Sequence, residues 1–209
     1  SVLPLRSRLT IFIAAATAWF ALAGASQPSP DSIRTFYGRI FRVQTIAWRI
    51  LASNIQSCPA RKGDFGLASV SPNPDASAAT QSTWASALGI GEGSTVLAVF
   101  PGGPAQAAGL KVGDHIVAVD NVHWQAAGDG RRAFAQAMAA GHQHQLLNLS
   151  VNRGAENLAI AIPARQICAG EAILTTNANV NASATGTTIV VEGGLEQLLS
   201  DDDELAAVI

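Results

Sequence analysis

Apolar positions recur every three or four residues from Ile33 to about Ile55. They run through Ile33, Phe36, Tyr37, Ile40, Phe41, Val43, Ile46, Ala47, Ile50 and Leu51. That spacing predicts one long amphipathic helix. Pro28-Ser29-Pro30 stops any preceding element, and Asp31 or Ser32 offers an N-cap. Arg34, Arg39, Arg42, Gln44 and Arg49 fall mostly off the stripe and read as a solvated face. Residues 69–81 are rich in Ser, Pro, Asn and Ala and read as a linker. The period then changes. An extended segment is expected near Thr95–Phe100, a short helix near Ala105–Leu110, a strand over His115–Val119 and a helix near Arg131–Ala140. Leu147, Leu149 and Val151, then Leu158, Ile160 and Ile162, alternate with other residues as half-buried strands do. Arg153-Gly154-Ala155-Glu156 joins those two strands as a hairpin turn. No internal repeat is evident.

The first residues have a different character. Arg6 and Arg8 precede an apolar run from Leu9 to Ala23, and Ala23-Gly24-Ala25 supplies small residues for cleavage. This is the pattern of a secretory signal peptide over 1–25, so the chain is expected to be exported, periplasmic or secreted. An uncleaved N-terminus would instead anchor it beside a membrane; the run is shorter than the ~20 residues a spanning helix needs. Export bears on the only two cysteines, Cys58 and Cys168. An oxidising compartment permits a disulfide between them, the alternative being two buried thiols.

Among 209 residues, 13% are charged and the formal net charge is −2. The basic face that nucleic-acid binding needs is missing, so no nucleic-acid partner is expected. No Gly-x-Ser-x-Gly elbow, phosphate-binding loop or dinucleotide fingerprint occurs. His142-Gln143-His144 is the one close histidine pair; it lacks zinc-helix spacing and reads as a solvated turn.

Val96-Leu97-Ala98-Val99-Phe100-Pro101-Gly102-Gly103-Pro104-Ala105 leads to Ala108-Gly109-Leu110 and then to Gly113-Asp114-His115-Ile116-Val117. This succession resembles the bacterial PDZ pattern, over 85–164. The resemblance implies an α+β fold: a small PDZ-like β-barrel or sandwich with two helices. It also implies a peptide ligand added as a strand, commonly a peptide or protein C-terminus. A loop of backbone N–H groups would receive the carboxylate, and Ala87-Leu88-Gly89-Ile90-Gly91 has its Leu-Gly-Ile form. The expected peptide-binding residues are therefore Leu88, Gly89, Ile90 and Gly91, with Phe134 and Met138 on the opposing helix, or else in the core.

The flanks resemble another family. Asn181-Ala182, the Ile- and Val-rich stretch Ile189-Val190-Val191, Gly194-Leu195 and the acidic lead-in Asp201-Asp202-Asp203-Glu204-Leu205 are similar to the segment before the zinc helix of gluzincin metallopeptidases, the HtpX-like and CAAX-endopeptidase-like enzymes. By this resemblance 26–84 and 165–209 are an N-terminal helix with linker and an incomplete metallopeptidase segment around the PDZ insert. Ile189, Val190 and Val191 would be the edge strand along which substrate lies. The His-Glu-x-x-His helix is absent, so no cofactor, catalytic residue or metal ligand is expected in this chain, and zinc is expected in a longer parent. The resemblance implies the N-terminal part of an exported zinc metalloendopeptidase; the alternative is an exported, non-enzymatic PDZ adaptor. Cut off from the rest of a protease core, residues from Glu171 onward are expected to be poorly ordered.

Overall fold

The computed structural model describes residues 28–209. The signal-peptide reading of 1–25 lies outside the described residues. The expected long helix forms as α1 (Pro30–Ser53), with Pro30 in its first turn and the Ser29 hydroxyl accepting the Ser32 N–H as N-cap. A short 3-10 turn, Ile55–Ser57, ends it. Two four-residue strands follow, β1 (Arg61–Asp64) and β2 (Leu67–Val70). Next come α2 (Ala78–Leu88), β3 (Ser94–Val99), α3 (Pro104–Ala107), β4 (His115–Val119) and β5 (Val122–His123). The helix α4 (Gly128–His144) precedes the hairpin β6 (Leu146–Arg153) and β7 (Glu156–Pro163). The chain closes through β8 (Arg165–Cys168), β9 (Glu171–Leu174), β10 (Ala182–Thr185), β11 (Thr188–Val191), α5 (Gly193–Leu198) and α6 (Asp202–Val208). The architecture is α+β, as the sequence implies.

The main sheet runs β2-β3-β4-β6-β7, all neighbours antiparallel, with β5 paired to β4. Its alternation is the one expected: Leu147, Leu149 and Val151 are buried while Asn148 and Ser150 face out. These side chains meet Val96, Ile116, Val119, Ile160, Ile162 and Phe134 in one apolar core.

A second core lies outside this unit and is built from both flanks. Val43, Ile46 and Ala47 of α1 pack against Ala172 and Leu174 of β9, Val191 of β11 and Leu205 of α6. Residues beyond Glu171 are thus folded onto α1, contrary to the expectation of poor order. The stripe of α1 supplies the apolar surface they need, and burial of that kind stabilises at roughly 25 cal/mol per Å². Arg39 and Arg42 are not simply solvated either. Both pair with the buried Glu196 of α5, and Arg42 also reaches Asp202 at the start of α6. A smaller cluster of Trp48, Ala52, Ala98, Phe100 and Ile167 joins α1 to the sheet.

The junction is covalent. Cys58 and Cys168 form a disulfide, with Cα atoms 5.5 Å apart. Beside it β1 and β8 pair antiparallel, from Arg61 opposite Cys168 to Asp64 opposite Arg165. The bond fits an oxidising, exported setting. Among the described residues no helix is long and apolar enough to cross a membrane.

Candidate functional site

The sheet leaves one edge of β2 without a strand partner among the described residues. Phe100 N–H donates to Gly66 C=O at 2.8 Å, which fixes the alternation along that strand. In antiparallel pairing, residues next to a bonded pair turn their polar groups the other way. Leu67 therefore directs its N–H and C=O to the free edge. A register shift between Ala68 and Ser69 resets the count. Ser69 faces Val96, whose N–H serves Asp114 on the β4 side, so Ser69 also turns outward.

The approach to β2 is a tight turn, Phe65-Gly66-Leu67, with Gly66 at φ +69°. A Cβ there would sit 3.1 Å from Gly103 Cα and 3.3 Å from Pro104 Cδ. Glycine is required on both counts. Phe65 C=O accepts from Ala105 N–H at 2.8 Å, so this turn is tied down on the α3 side. In a planar trans peptide N–H opposes C=O. The amides of Gly66 and Leu67 thus both point away from α3 and β3, as successive amides do in an anion-binding nest.

Helix α4 forms the facing wall. It touches the chain before β2, at β1, and after it, where Arg131 pairs with Asp75 at 2.8 Å. It therefore lies along the free edge. Beyond the end of β2 a cleft of about 580 Å³ opens between Pro72, Pro74, Gln81, Glu92, Trp124 and Gln125.

The loop expected from sequence lies elsewhere in the fold. Leu88 is the last residue of α2 and Gly89, at φ +66°, is its C-cap. Ile90 and Gly91 then lead into β3, which is paired on both sides, by β2 and β4. A ligand strand finds no open edge there. Gly91 instead packs on the His115 ring, and its N–H faces the Thr95 hydroxyl at 3.3 Å. Phe134 is buried in the core with Trp124 edge-on to it, and Met138 is half-buried beside that core. Ile189, Val190 and Val191 lie in β11, the middle strand of the sheet β10-β11-β9, so they are not an edge. His142 and His144 belong to the last turn of α4 rather than to a turn between elements. The turn Phe65-Gly66-Leu67 is not among the residues singled out from sequence; its signal is a glycine between two apolar residues ahead of a short strand.

Among the described residues no three or more His, Cys, Asp or Glu side chains gather as a metal site.

Residues 63–163 match the PDZ domain family. Among solved structures, the HtrA3 PDZ domain bound to a phage-derived ligand (FGRWV) is 22% identical, over 51% of this chain and 89% of that one, with a TM-score of 0.39. The HtrA-type protease AlgW with decapeptide is 24% identical, over 51% of this chain and 30% of that one, with a TM-score of 0.33. The serine endoprotease from Yersinia pestis is 22% identical, over 51% of this chain and 29% of that one, with a TM-score of 0.31. The match thus spans under a third of either protease. No curated protein sequence matches the chain. The segment 63–163, which holds the free edge of β2, is a PDZ domain.

Proposed function

We propose that this chain captures an extended polypeptide as an added strand on the free edge of β2. One observation carries the reading: an unpaired strand edge, entered through the Phe65-Gly66-Leu67 turn and walled by α4. Backbone hydrogen bonds from Leu67 and Ser69 give affinity, and alternate ligand side chains enter the groove. Ser69→Pro removes an outward N–H and keeps the backbone ladder to β3, and it also deletes the hydroxyl that accepts from Ser94 Oγ. Its expected result is loss of peptide binding by fluorescence anisotropy, whereas Ser69→Ala, which loses the hydroxyl but keeps the N–H, lowers the thermal midpoint slightly and retains binding. Unchanged binding by Ser69→Pro would count against strand addition.

The wider assignment is an exported, periplasmic protein whose PDZ unit is inserted in the shell of a zinc metalloendopeptidase and presents substrate to it. What favours it is that α1 and residues 171–209, on opposite sides of the PDZ unit, share one core. Zinc chemistry is assigned to none of the described residues, because they do not fit the metal. Coding sequence downstream of Ile209 tests this: His-Glu-x-x-His in frame supports the peptidase. An in-frame stop codon supports the alternative, an exported peptide-binding adaptor.

A further inference from the structure

The Gly66 N–H, one of the two successive amides at the mouth of the groove, already has an anionic partner. Asp64 Oδ1 accepts from it at 2.8 Å. The same oxygen accepts from Trp48 Nε1–H, also at 2.8 Å, so a side chain of α1 holds the carboxylate in place. Trp48 is buried, packs against Phe100, and carries the Arg165 guanidinium 5.6 Å above its ring. Asp64 itself is fixed by the β1–β8 ladder, directly opposite Arg165. The acid is thus positioned from three sides: its strand, the turn it caps, and the helix outside the PDZ unit.

A second carboxylate brought to this turn would share its donors with the first. Like charges brought together in a partly desolvated groove are strongly disfavoured. An uncharged carbonyl meeting Leu67 N–H has no such penalty. We infer that Asp64 makes this PDZ site select interior extended segments of polypeptide rather than free C-terminal carboxylates. The inference rests on strand addition at β2 and names the class of segment that edge takes. Because Trp48 belongs to α1, the selectivity is set partly by the flanking unit.

The test uses the full chain and two display libraries of random peptides, one presenting free C-termini and one presenting the same length with protein on both sides. Enriched sequences are then synthesised as free acids and as amides, and their Kd values measured by anisotropy. Wild type is expected to enrich from the interior library and to bind the amide about tenfold more tightly than the acid. Asp64→Asn keeps both hydrogen bonds and loses the charge; it is expected to favour the acid over the amide by about tenfold. Trp48→Phe keeps an aromatic ring and removes one of the two donors to the carboxylate, leaving the Gly66 N–H, and is expected to lessen the preference for the amide without abolishing amide binding. Wild-type affinity for the acid equal to or above that for the amide overturns the inference and leaves strand addition standing. So does an Asp64→Asn ratio equal to wild type. Enrichment from neither library, by wild type or Asp64→Asn, overturns strand addition and the inference together.

Discussion

Arg153 and Asp114 hold each other in a two-pronged ion pair, Nε to Oδ1 and Nη2 to Oδ2, each at 2.7 Å. Asp114 is 1% exposed and also accepts the Lys111 N–H at 2.8 Å. Arg153 donates further to Gly109 C=O, so the end of β6 is pinned to the loop before β4. Removing the acid leaves these donors without their acceptor. Asp114→Ala is expected to cost about 1–3 kcal/mol, mainly because the Lys111 N–H loses its acceptor while the part-exposed Arg153 turns to water, read as a lower thermal midpoint.

The same pair sets an acid limit. Burial acts to raise the Asp114 pKa, but hydrogen bonds from Arg153 and from the Lys111 amide, with their charges, outweigh it and hold it below the usual carboxylate range. A carboxyl depressed in the folded state contributes stability above its unfolded value, about 3.9, and loses it as pH falls through the folded one. Wild type is expected to lose stability on acidification below about pH 4. Asp114→Asn is expected to show a shallower fall over the same range, measured by thermal melts. Equal slopes would remove Asp114 from the account.

Two glycines with similar φ separate the two candidate turns. Gly66→Ala meets both a left-handed backbone and Gly103 Cα at 3.1 Å. It is expected to destabilise by about 1–3 kcal/mol and to weaken peptide binding. Gly89→Ala meets the backbone penalty alone, with nothing within 4 Å of its Cβ. It is expected to cost about 1 kcal/mol and leave peptide affinity as in wild type. The opposite pattern of affinities would restore the loop at Leu88–Gly91.

Glu196 joins the flanking elements to α1. It is 4% exposed and accepts from Arg39 Nε at 2.5 Å and Arg42 Nη1 at 3.2 Å. Glu196→Ala leaves Arg39 without a carboxylate and Arg42 with Asp202 alone, and a cost of about 2–3 kcal/mol is expected. Hydrogen exchange is expected to rise across 171–209 and to stay near wild type across 94–163. A uniform rise would show that the two cores unfold together.

Reduction of Cys58–Cys168 opens a loop with a sequence separation of 110. In the chain-entropy model that loss is worth about 4–5 kcal/mol. The thermal midpoint is expected to fall with reductant, while the β2 edge, held by β3, keeps its ligand affinity. Lost affinity on reduction would mean that the junction shapes the groove.

Long-period and alternating patterns are legible in the sequence itself. The stripe of α1, the strand His115–Val119 and the hairpin β6–β7 follow directly from where apolar residues fall. What was not legible is the start of the PDZ unit, expected at 85, whereas the family match begins at 63. The strands β1 and β2 have four residues each, and Arg61-Lys62-Gly63-Asp64 carries no apolar alternation. Helix α2 is built mostly of Ala, Ser and Thr with a single buried residue, Ala87, so it shows no stripe. The site suffered most, because a Leu-Gly-Ile string looks alike in a helix cap and in a ligand-binding turn. Pairing partners decide between them, and those are set by residues far away in the chain. The contact between Trp48 and Asp64 is of the same kind.

The 5.5 Å between Cys58 and Cys168 Cα atoms is little more than the ~3.8 Å step between adjacent residues. The polypeptide therefore leaves the α1 scaffold and returns to it at almost one point. Everything between those cysteines is entered and left at that one place, yet its sheet also rests on α1, where Trp48 and Ala52 pack against Ala98 and Phe100. A replacement module would therefore have to match that face of α1 as well as close the gap between the cysteines. Recognition is free to diverge only in those parts of the groove that the scaffold does not touch.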